Sequence, residues 1–142
     1  MVPWLQRVVV ALSPANTVQY YNFDKESDEW EEEAHELGNA ASNPHPKTKL
    51  AAGYTATGIV IIYQDTQGKL SYALTSDGDT WTHGGTLPAV NPVPGTPLAA
   101  TSLPSAPDQL RVYYISNDES VHYVLFPESG SPIYCRNYSR PM

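Results

Sequence analysis

The sequence predicts an all-β fold made of β-propeller blades, on three observations. A unit of about 51 residues occurs three times, its recurring pieces have the composition of short strands, and polar turns separate them. The composition agrees: Pro (13), Tyr (10) and Gly (9) are plentiful in a chain of 142 residues. Tyr favours strands, while Pro and Gly punctuate turns.

Each unit reads as four strands. A small-residue strand leads, as Lys49-Leu50-Ala51-Ala52 and Pro97-Leu98-Ala99-Ala100. Small side chains suit the crowded axis where inner strands converge. A β-branched and aromatic strand follows at residues 8–13, 59–64 and 110–115, each start 51 residues after the last. A third strand starts at Val18, Leu70 and Val121, in steps of 52 and 51. A fourth opens with Ser27-Asp28-Glu29-Trp30 and Gly78-Asp79-Thr80-Trp81, again 51 apart, and has Pro132 at the matching place in the third unit. Turns at 65–68, 76–79 and 117–119 separate these strands, and the Pro-rich stretches 43–46 and 88–97 read as connections between blades. The chain is thus expected to form one domain with units near 1–42, 43–92 and 93–142. At least ten strands are expected.

Two features complicate this pattern. Residues 27–38 carry a helix signature: Ser27 as a cap, acidic residues in the first turn, Trp30, Ala34 and Leu37 on one face, and Gly38 as a stop. A strand is preferred there, because Trp81 holds the matching place in a segment without helical character. The first unit also lacks its leading strand, and three blades do not close a ring. Either the chain is part of a longer propeller or copies assemble to complete one.

The remaining composition excludes several classes. A net charge of −7 without Lys or Arg clusters argues against a nucleic-acid partner. No apolar run reaches the roughly 18 residues of a membrane span. Residues 8–15 could pass for a short signal peptide, but the apolar part is five residues long and repeats internally. A cytoplasmic protein, or one secreted without a recognisable signal, is expected. Cys135 is the single cysteine, so no intramolecular disulfide forms, and it reads as a buried small apolar group. The four His residues lack metal-ligand spacing, the run Glu31-Glu32-Glu33 reads as a solvated face, and no cofactor is expected.

The strings Leu110-Arg111-Val112-Tyr113-Tyr114 and Ser120-Val121-His122-Tyr123 resemble the blade pattern IRVYYQ…IxEYCW…GW of fucose-binding propeller lectins from fungi and bacteria. Ile61-Ile62-Tyr63-Gln64-Asp65 and Gly78-Asp79-Thr80-Trp81 resemble the same blade. The resemblance implies sugar sites between neighbouring blades. An Arg of the second strand and a Glu of the third grip hydroxyls, and a Trp of the next blade's fourth strand stacks on the apolar sugar face. It also implies that short members complete a six-bladed ring by oligomerisation. Carried over by position, the Arg place holds Val9, Val60 and Arg111, the Glu place Gln19, Ser71 and His122, and the Trp place Trp30, Trp81 and Pro132. Only Arg111, Trp30 and Trp81 keep the family's residue type. The candidate carbohydrate-binding residues are therefore Arg111, His122, Trp30, Trp81 and Gln19.

Each candidate has a structural alternative. Arg111 could pair with a nearby carboxylate on an exposed strand, the tryptophans could pack blades together, and His122 could have a surface or hydrogen-bonding role. Ser76-Asp77-Gly78-Asp79-Thr80-Trp81 resembles a shortened Asp-box, a structural turn of sialidase blades. Sialidase chemistry needs an arginine cluster, whereas the four arginines here (Arg7, Arg111, Arg136, Arg140) share no equivalent strands. Phosphate-loop, nucleophile-elbow and zinc motifs do not occur. The expectation is a non-enzymatic, lectin-like propeller that binds glycans between blades and assembles as a homodimer. A scaffold for protein interaction is the alternative, and a glycosidase-type propeller fragment the more distant one.

Overall fold

The computed structural model describes residues 7–55, 58–103, 106–126 and 135–138. Within them lie twelve strands: β1 (Val8–Leu12), β2 (Val18–Asp24), β3 (Glu29–Trp30), β4 (His35–Glu36), β5 (Leu50–Thr55), β6 (Gly58–Gln64), β7 (Leu70–Thr75), β8 (Thr82–Thr86), β9 (Ala99–Leu103), β10 (Ala106–Ile115), β11 (Val121–Phe126) and β12 (Cys135–Tyr138). One 3₁₀ turn, Gly38–Ala41, is the sole helical element among the described residues. The strands form three four-stranded antiparallel sheets: β1-β2-β3 with β4 also on β2, β5-β6-β7-β8, and β9-β10-β11-β12. Pro132 and the side chain of Cys135 lie outside the described residues. No helix among the described residues is long and apolar enough to cross a membrane.

The sheets stack face to face with one core in each interval. Val18, Tyr20, Ile61, Tyr63 and Ala73 build the first, with Val8, Val10, Leu12 and Trp81 packed against it. Val60, Ile62, Leu70, Leu110, Val112, Tyr114 and Val124 build the second. Strand β6 contributes to both, because successive side chains point to opposite faces. This is why its sequence is an unbroken apolar run rather than an alternating one. The small residues of β5 also find their reason here. A Cβ on Gly53 would stand 2.7 Å from Leu110 Cδ2, so the inner strand is held to small side chains by the next sheet.

The Pro-rich segments are indeed the connections, and they dock by a repeated device. Thr48 and Thr96 are buried; each hydroxyl donates to the next carbonyl, at Lys49 (2.8 Å) and Pro97 (3.0 Å). Each also accepts the N–H that ends the second strand, from Gln64 (2.8 Å) and Ile115 (2.8 Å). The helix signature at 27–38 gives way to two short strands. Trp30 pairs with Phe23 and His35 with Tyr20, so pairing along β2 outweighs the local helix preference.

One residue-level equivalence differs from the sequence expectation. The turns after the second strands match at Ser13, Asp65 and Ser116, each closing a backbone bond from the residue three further on. Their left-handed residues are Asn16, Gly68 and Glu119. The first step is therefore 52 residues and not 51, and Val8, not Val9, is the counterpart of Val60 and Arg111. The faces agree: Val8 and Val60 each point towards the following sheet, whereas Val9 points away and is exposed.

Candidate functional site

Leu110, Val112 and Tyr114 of β10 enter the second core, so alternation sends Arg111 and Tyr113 to the other face of the third sheet. That outer face joins neither core. In register, Tyr113 lies opposite Tyr123 on β11, and Arg111 opposite Leu125. The guanidinium of Arg111 lies 4.8 Å from the Tyr123 ring centroid, and its Nη1 donates to the Tyr113 hydroxyl at 3.4 Å. The two tyrosine rings are 5.7 Å apart. The result is a fixed cation resting on an aromatic floor, with a phenol at its edge. Such a group offers directed donors to a polyol at little entropic cost, since the cation–π contact already orders it.

His122 is not part of this arrangement. It lies opposite Tyr114, on the face turned to the second core, and is 3% exposed. Its Nε2 is 2.8 Å from Ser120 Oγ and 3.6 Å from Asp118 Oδ1, while the buried Nδ1 has no hydrogen-bond partner among the described residues. Gln19 is displaced in the same sense. It pairs with Ala11 on the outer face of the first sheet, away from Val8 and Tyr20. The position that shares a face with Arg111 in the third strand is Tyr123, and its counterparts are Tyr72 and Tyr20. A one-residue offset of a strand exchanges its faces. The three tyrosines stand 52 and 51 residues apart, the spacing of the strands themselves, and that was the signal for them.

The two tryptophans occupy unlike surroundings although their positions correspond. Trp81 faces the first sheet, half-buried in the first core, with its ring 5.3 Å from that of Tyr20. Trp30 lies on the outer face of the first sheet, 43% exposed, edge-on to Phe23 at 5.3 Å, and Arg7 covers the same Phe23 ring at 4.9 Å. The five candidates thus fall in four places: Arg111 on one outer face, Trp30 and Gln19 on the other, Trp81 in the first core and His122 beside the second. Asp77 shows the Asp-box turn to be structural, since its Oδ1 accepts the N–H groups of Asp79 and Thr80, both at 2.8 Å. No group of three His, Cys, Asp or Glu side chains converges among the described residues.

Stacked four-stranded sheets joined in this way are blades of a β-propeller. The family model "Fungal fucose-specific lectin" matches residues 3–136, and the chain belongs to that family, whose members are lectins and not enzymes. Among solved structures it is similar to AofleA from Arthrobotrys oligospora, at 24% identity and a TM-score of 0.70. It is also similar to the six-bladed Aleuria aurantia lectin, at 19% identity and a TM-score of 0.69. A fucose lectin from Kordia zhangzhouensis, solved with methyl-fucoside, matches at 14% identity and a TM-score of 0.52. These matches take in 94%, 96% and 94% of this chain, and 38%, 43% and 100% of the respective chains. The chain therefore spans about two-fifths of the two longer structures. At these identities the likeness is one of fold. Among curated protein sequences none matches.

Proposed function

We propose that the chain binds glycans carrying an accessible fucosyl residue, on the outer face of the third sheet, with Arg111 as the main polar anchor. The observation that carries this reading is the Arg111–Tyr113–Tyr123 arrangement on a blade face that contributes to no core. Membership of the fungal fucose-specific lectin family supports the sugar class, as does the methyl-fucoside bound by the Kordia lectin. A pyranose would meet the guanidinium through its hydroxyls and need an aromatic wall for its C–H face. Trp30 on the outer face of a second copy is that wall. Two copies would place six sheets in a ring, the number described for the Aleuria aurantia lectin.

Titration with methyl-fucoside tests this. Arg111→Ala should weaken binding by about 1.5–3 kcal/mol, the range for hydrogen bonds to a charged group. An array of fucosylated glycans that the folded wild-type protein leaves unbound would sink the proposal. It would leave the second reading, a non-catalytic scaffold for protein interaction, which the aromatic filling of the two described intervals favours.

A further inference from the structure

The three equivalent tyrosines do not have equivalent surroundings. Tyr20 is 4% exposed and lies between two rings, stacked on His35 at 5.0 Å and tilted against Trp81 at 5.3 Å. Its hydroxyl donates to the carbonyl of Asp79, across the interval, at 3.3 Å. Tyr72 crosses the next interval and meets Phe126 edge-on at 4.6 Å. Gly84 makes room for it: a Cβ there would stand 1.9 Å from Tyr72 Cε2, inside the ring's own volume. Tyr123, 6% exposed, lies on the face turned away from the second core, with the Arg111 guanidinium 4.8 Å from its ring centroid.

The residue at the arginine place changes in step. Val8 and Val60 lie on the same sheet faces as Tyr20 and Tyr72 and pack into the two cores. A guanidinium there would be taken out of water between apolar sheets, which is costly without a partner. Arginine occurs only in the unit whose face joins neither core.

We infer that Tyr20 and Tyr72 are built-in occupants of the two intervals between the blades, so that a chain of three units offers one ligand position, at Arg111, instead of three. The inference deepens the proposed function and rests on it for the identity of the ligand. A side chain tethered to the wall it covers is present at an effective concentration that a free monosaccharide has to exceed. Tyr20 also has its hydroxyl satisfied and its ring in contact with both His35 and Trp81, so a sugar reaching Trp81 would displace contacts that are already made. Tyr20 is thereby a specificity-determining residue by exclusion.

Counting bound methyl-fucoside per chain by native mass spectrometry and titration calorimetry tests this. One sugar per chain, bound at least about tenfold more weakly in Arg111→Ala, is expected. Two or more per chain, or affinity unchanged in Arg111→Ala, overturns the inference. If the wild type binds no sugar, the ligand assignment fails instead, and the filling of the interval is tested without it. In a chain carrying Trp4→Phe and Trp30→Phe, Trp81 is the sole tryptophan, and excitation beyond the tyrosine absorption band reads its emission. Acrylamide should quench it weakly, and several-fold more strongly after Tyr20→Gly in a variant that keeps its β-sheet circular dichroism. Strong quenching of Trp81 with Tyr20 in place overturns the inference, whether or not the glycine variant folds.

Discussion

Asp118 ties the turn between β10 and β11. Its carboxylate accepts from the Ser120 hydroxyl and from the Ser120 N–H at 3.0 Å, beside His122. These hydrogen bonds, the Ser120 hydroxyl first, hold its pKa down at about 2 against an ordinary 3.8. A carboxyl depressed on folding contributes stability above its unfolded pKa and loses it as pH falls towards the folded value. The contribution of Asp118 should therefore be complete above about pH 4 and fade towards about pH 2. Thermal midpoints of wild type and Asp118→Asn should differ at neutral pH and converge across that window. A gap that stays constant down to pH 2 would mean that the ionised carboxylate is not what holds the turn. Asp77, lowered chiefly by the Thr80 and Asp79 N–H groups, acts in the same sense at the other turn.

At the scale of elements, the sheets are joined by polar groups that a pattern of apolar residues does not reveal. Gln64 ends β6 with no exposed surface, donating to the carbonyls of Gly68 (3.0 Å) and Val93 (3.1 Å) and accepting the Gly95 N–H (2.8 Å). It thus pins the second connection to its own turn. Gln64→Leu keeps the bulk but strips these partners, and unsatisfied buried groups cost about 1–3 kcal/mol. Urea denaturation should show a loss of that order, with an unchanged slope; a change under half a kilocalorie would show that water replaces the amide. The strands themselves were legible in the sequence, because β6 is buried on both faces and its two counterparts repeat it. The register of the first unit was not. Val8-Val9-Val10 reads the same from either face, so a slip of one residue left no trace and put Val9 at the arginine place; which face Gln19 and His122 take is set by strand pairing, which the spacing alone does not give. The turn chemistry at Asn16, Gly68 and Glu119 marks the true frame. At 27–38 the strand was preferred over the helix signature through the match to Trp81, and the pairing of Trp30 and His35 along β2 that decides it is a tertiary fact.

At the scale of the whole molecule, three stacked sheets leave two faces outside the cores. On the first sheet this face carries Val9 and Trp30, 47% and 43% exposed, and among the described residues no strand pairs with the free edge of β1. On the third it carries Arg111, Tyr113 and Tyr123. The exposed Val9 and Trp30 favour association, and a closed ring would cover both outer faces. The purified chain should therefore run as a dimer in light scattering at micromolar concentration, with each site built from Arg111 of one copy and Trp30 of the other. Complementation separates this geometry from a chance contact. Arg111→Ala and Trp30→Ala should each bind methyl-fucoside poorly as homodimers. Co-refolded in equal amounts, they form mixed dimers in half of the cases, and each mixed dimer regains one intact site of its two. Binding capacity should then recover to roughly a quarter of the wild-type value. Recovery of affinity together with this partial capacity requires that the two residues meet across copies. A stable monomer, or a mixture that binds no better than either variant alone, would defeat the shared site and leave Arg111 to act with the tyrosines of its own sheet.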